Sequence, residues 1–166
     1  MRFFFYGTLI DPDVRRLVLG VSAPVMVEPA VLMGWKRVPL PDVTYPNILR
    51  AQRLSVDGVL MRGLDKAACR RLIDYEGDGY DLLDVEVTVA GDRRVAALVF
   101  AGKPGQLRAL GSWSFTDWQR RHKRRFVASL ARRGSPSSSK CHCERSEAIQ
   151  GGSHLPWIAS SLRSSR

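Results

Sequence analysis

The chain has 166 residues, 45% of them apolar, enough for one domain with a sizeable core. The apolar run after Arg2 is too short for a secretory leader, and no segment reaches the ~20 apolar residues of a membrane span, so the expectation is a cytoplasmic protein. The net charge of +10 is uneven: residues 1–114 carry +2, residues 115–133 carry +6 and residues 134–166 carry +2, which argues against a body built around nucleic acid.

Phe3-Phe4-Phe5-Tyr6 reads as a buried first strand, broken at Gly7. A strand-to-loop break at glycine exposes backbone N–H groups suited to a carboxylate; on these residues alone an ordinary strand and turn is the alternative. Asp11 and Pro12 start a helix to Leu19, with Val14, Leu17 and Val18 as its apolar face and Gly20 as its end. Ala30–Met33 is a strand closed by Gly34, and Trp35 and Val38 point to the core. Pro39, Pro41 and Pro46 enforce an irregular loop around Thr44-Tyr45-Pro46-Asn47, which is either a pocket border or a plain connection.

Leu54–Met61 is the next strand, and Gly58 within it marks a bulge or a close backbone approach. Asp65 starts a helix that gathers Ala68, Cys69, Leu72 and Ile73 on one face and ends in Asp74-Tyr75-Glu76-Gly77. Cys69 reads as a small apolar residue rather than a nucleophile. Gly77 and Gly79 stop the helix. Tyr80–Val89 and Val95–Phe100 form a hairpin about Gly91-Asp92. Strands separated by helices, with antiparallel pairing, indicate an α+β fold.

Phe115–Leu130 reads as one helix, with Thr116 as cap. Phe115, Trp118, His122, Phe126 and Leu130 form its apolar stripe, and the rest is a solvated basic face. His122 is expected to pack rather than to catalyse. From Gly134 the apolar period ends, and ten of the last 33 residues are serine. The expectation is a domain over 1–133 and a disordered tail over 134–166. Cys141-His142-Cys143 lacks the separated ligand pairs of a structural zinc site, and three cysteines make no disulfide framework. The tail is similar to peptides translated from bacterial intergenic repeats.

Two stretches, Tyr6-Gly7-Thr8-Leu9 and Asp74-Tyr75-Glu76-Gly77, together resemble the γ-glutamylcyclotransferase-like family, over about Arg2 to Leu130. The resemblance implies a small mixed β-barrel with flanking helices. It also implies conversion of a γ-glutamyl amide to 5-oxoproline and a free amine, without cofactor or metal. Glu76 matches the family's catalytic glutamate. The resemblance further implies that Tyr6, Gly7, Thr8 and Leu9 bind the glutamyl head through backbone groups, and that Tyr80 contacts substrate. Asp81-Leu82-Leu83 stand where an arginine is common, a departure that bears on specificity. Chemically one glutamate suffices, because nucleophile and electrophile share a molecule and only proton transfers need help. The Asp74, Glu76, Asp78 spacing lacks the full calcium-loop pattern. Two other readings stay open. One is a non-catalytic or differently specific metabolite-binding member; the other is a nucleic-acid-associated protein using the basic helix. The expected partner is a small molecule, not a membrane, and the oligomeric state is open.

Overall fold

The computed structural model describes residues 1–20, 25–103 and 111–134. The Ser-rich segment and Cys141-His142-Cys143 lie outside them. Five strands make a closed barrel: β1 (Arg2–Phe5), β2 (Met26–Pro39), β3 (Pro46–Arg62), β4 (Tyr80–Val89) and β5 (Arg93–Gly102), in the spatial order β1-β3-β2-β4-β5. Neighbours pair antiparallel except at the closure, where Phe3 of β1 meets Leu98 of β5 in parallel. The helices are α1 (Pro12–Leu19), α2 (Lys66–Glu76), α3 (Phe115–Arg121) and α4 (Lys123–Gly134).

Alternation along β1 divides the core in two. Phe4 and Tyr6 join Leu32, Trp35, Ile48, Leu60, Val87 and Val99 in the barrel interior. Phe3 and Phe5 point the other way, toward Val14 of α1, Leu72 of α2 and Trp118 of α3. Each face of the first strand thus anchors one layer of an α+β arrangement. The barrel is tightly closed near the end of β1: a Cβ on Gly58 would lie 2.3 Å from the Phe5 carbonyl oxygen and 2.6 Å from the Phe4 ring. Only glycine fits there, which is the close approach that Gly58 announces.

Several expected boundaries shift. The strand read from Ala30–Met33 continues through Gly34 to Pro39, with a register shift between Met33 and Trp35. The strand read from Leu54 begins at Pro46, so the proline loop shrinks to a hairpin connection over 40–45. Leu17 and Ile73 are exposed, because α1 and α2 bury narrower faces than their periodicity suggests. The helix expected from Phe115 to Leu130 breaks at His122, whose φ of −124° leaves the helical range, and Ser114 rather than Thr116 caps it. The break turns His122 out to solvent, so it is not a packed histidine.

Candidate active site

β1 ends at Phe5 and delivers Tyr6-Gly7 into a short 3₁₀ turn over Thr8–Ile10. Ile10 N donates to Gly7 O at 3.0 Å and Asp11 N to Thr8 O at 3.0 Å. The first N–H groups of such a turn have no partner within it. Its last carbonyls do: Arg15 Nη1 donates to Leu9 O at 3.0 Å and to Ile10 O at 2.6 Å. Asp11 then caps α1 by accepting from Asp13 N at 2.9 Å, fixing the turn to the helix behind it.

Tyr6 is held from the barrel side. Its hydroxyl donates to Phe100 O at 2.8 Å and lies 3.4 Å from Asn47 Oδ1. Asn47 is fully buried, and its Oδ1 also accepts from Ile48 N at 2.7 Å and Gly102 N at 2.8 Å. One amide therefore ties β1, β3 and β5 together beneath the turn. Gly102 must lack a side chain, since a Cβ there would lie 1.9 Å from Asn47 Nδ2.

α2 brings the second component. Asp65 caps it by accepting from Ala68 N at 2.7 Å, Leu72 packs fully buried under it, and Gly77 ends it at φ +65°, a conformation that favours glycine. Glu76 is its last residue. Tyr75 lies 3.4 Å, hydroxyl to hydroxyl, from Thr8. The helix end and the turn thus meet although far apart in sequence.

Both border one cavity of about 460 Å³, a size that suits a small ligand. Tyr6, Gly7, Thr8, Leu9, Glu76 and Tyr80, the six residues singled out from sequence, all line it. Of the rest of the wall, Asp42–Tyr45 of the β2–β3 connection and Pro46 at the start of β3 make the proline loop a pocket border, one of its two open readings, and Tyr75 belongs to the quoted motif; sequence reasoning did not single out Phe100, or Phe126, Ser129 and Leu130 of α4, for the site. The connection is held by Trp113, whose Nε1 donates to Thr44 O at 2.9 Å and whose ring carries the Arg37 guanidinium at 5.3 Å. The three prolines signal an irregular loop, but nothing local signals that Trp113 clamps it.

Burial raises the Glu76 carboxyl from 4.5 to about 7. Burial also raises the hydroxyls of Tyr6 and Tyr80, and the nearby Glu76 charge adds to both. Both tyrosines therefore stay neutral hydrogen-bonding groups. A carboxyl that titrates near neutrality in an aromatic cavity, beside a turn with N–H groups to offer, can exchange a proton with a bound amine. Among the described residues, no three His, Cys, Asp or Glu side chains gather to hold a metal ion. Also among them, no helix is long and apolar enough to cross a membrane.

Comparison with known proteins gives a consistent result. The profile of the family described as "Gamma-glutamyl cyclotransferase, AIG2-like" matches residues 3–120. The chain is 30% identical over 127 residues to Protein AIG2 C of Arabidopsis thaliana, covering 75% of each. A solution structure from Arabidopsis thaliana is similar at a TM-score of 0.58 and 26% identity, covering 78% of this chain and 87% of that one. A solved gamma-glutamyl cyclotransferase shares the fold at a TM-score of 0.57 and 16% identity, covering 86% and 92%.

Proposed function

This chain belongs to the gamma-glutamyl cyclotransferase, AIG2-like family, and on that premise we propose that it converts a small γ-glutamyl amide to 5-oxoproline and a free amine. The observation that carries the proposal is the Glu76 carboxyl, raised to about 7 inside a cavity that the Gly7–Leu9 turn also lines.

The glutamyl head binds with its α-carboxylate on the N–H groups of the turn. Glu76 in its ionised form takes a proton from the α-ammonium. The freed nitrogen attacks the γ-carbonyl carbon, forming the C–N bond of the five-membered lactam. The C–N bond to the amine then breaks as Glu76 returns its proton to the departing nitrogen. The second proton shed by the ring nitrogen leaves with the freed amine as its ammonium. A carboxyl near pH 7 suits both halves of this exchange, because neither protonation state is scarce at neutrality. Folding the substrate into attack geometry supplies the rest of the acceleration. Tyr80, neutral beside Glu76, and Tyr75 line the cavity around the reacting atoms.

Incubating the purified protein with a panel of γ-glutamyl amides and detecting 5-oxoproline tests the proposal. A second reading, binding without turnover, draws on one observation: no Lys or Arg lines the cavity among the described residues. A protein that binds such amides and releases no 5-oxoproline would select it.

A further inference from the structure

The match to the family ends at residue 120, yet the cavity does not. α4 begins at Lys123 and contributes Phe126, Ser129 and Leu130 to its lining. These positions are three and four residues apart, so they share one helix face. Two devices set that face against the cavity. Lys123 Nζ pairs with Asp11 Oδ2 at 2.8 Å and with Asp13 Oδ2 at 2.9 Å, tying the start of α4 to the start of α1. The Phe126 ring stands edge-on to Trp118 at 5.4 Å, one of the favoured arrangements of an aromatic pair. Gln119, just before the break at His122, also donates to Asp11 Oδ2 at 3.0 Å. The buried carboxylate that caps the helix behind the substrate-facing turn is thus the anchor of α4.

This inference rests on the proposed reaction. In that reaction the reacting end of the substrate occupies the Gly7–Leu9 turn and Glu76, and the rest of the lining meets the amine portion. We propose that α4 is the specificity-determining wall of the site. Phe126 and Leu130 offer apolar contact, and Ser129 on the same face is small, so the wall selects amides whose amine carries an apolar body. The selection is made by a segment beyond the matched family profile.

The test compares kcat/KM for γ-glutamyl methylamide and γ-glutamyl benzylamide in the parent, Ser129→Leu and Leu130→Ala. Ser129→Leu adds bulk to the cavity wall, and Leu130→Ala removes one of its apolar side chains. Each is expected to lower the benzyl-to-methyl ratio by roughly 10-fold, since one small group in an apolar pocket changes discrimination by that order. The change should fall on KM for the benzylamide, with the pH profile unmoved. Melting temperatures establish that the variants are folded, and Ser129→Leu, a substitution on a half-buried helix face, answers the question if Leu130→Ala does not fold. An active parent whose ratio stays within about twofold in the folded variants overturns the inference and leaves the reaction standing. A parent that releases 5-oxoproline from neither amide nor from any of the panel overturns the reaction, and the inference with it.

Discussion

Glu76→Gln should stabilise the protein at alkaline pH and not at acid pH. The folded chain holds the Glu76 proton up to about pH 7, whereas the unfolded chain releases it near 4.5. Between those values the folded state binds more protons than the unfolded state, so stability falls as pH rises through the window. Below it the carboxyl is protonated in both states and carries no penalty; above about 7 the full penalty applies. At about 1.4 kcal/mol per pH unit the ceiling is ~3 kcal/mol. Glu76 is only half-buried as a whole residue, so screening brings the expected figure to about 1–3 kcal/mol. Glutamine keeps the shape and never ionises. Urea melts of parent and variant at about pH 4 and about pH 8.5 therefore give a stability difference that grows by that amount in favour of the variant. A difference independent of pH would refute the burial argument, and with it the reason for treating Glu76 as a group poised near neutrality.

Asp11→Ala should cost about 3 kcal/mol, measured by thermal melting, because it removes the α1 cap and leaves Lys123 and Gln119 without their buried acceptor. Burial pushes the Asp11 carboxyl up, but hydrogen bonds from Lys123, Gln119 and Asp13 N outweigh it and hold the group below the usual range, so its contribution is present above about pH 4 and is lost as pH falls further. Gly58→Ala should destabilise by about 1–3 kcal/mol or more, since its Cβ meets backbone that cannot yield; a melt within experimental error of the parent would contradict the close packing at β1. A chain ended after Gly134 should melt within about 0.5 kcal/mol of the full chain, on the evidence of the tail's Ser-rich composition.

Much of the fold is legible from local pattern. Asp11-Pro12 and Asp65 start helices because an aspartate side chain caps free N–H groups wherever it meets them, and the β4–β5 hairpin follows from strict alternation about Gly91-Asp92. The barrel is not legible in this way, since closure depends on Phe3 finding Leu98, a pairing with no local signature; the family resemblance supplies it. The stripe through His122 misleads because a constant 3.6 period assumes an unbroken helix, and the chain turns at that residue. At the site, Gly7 stands out as punctuation, whereas Glu76, one of three acids with Asp74 and Asp78 about a Gly-rich turn, is singled out by the family resemblance. Asn47, Trp113 and Phe126 do not, because their work is done by burial and by partners distant in sequence.

The central claim is that Glu76 moves the protons of lactam formation. It is tested most directly by the rate of 5-oxoproline release from a γ-glutamyl amide, parent against folded Glu76→Gln, across pH. The account predicts a fall of roughly 10²–10⁴-fold in turnover, the usual contribution of a positioned acid–base group, with a much smaller change in substrate affinity. It also predicts that the parent's activity rises with pH through about 7 and that this limb vanishes in the variant. A folded Glu76→Gln protein that releases 5-oxoproline at the parental rate would contradict it.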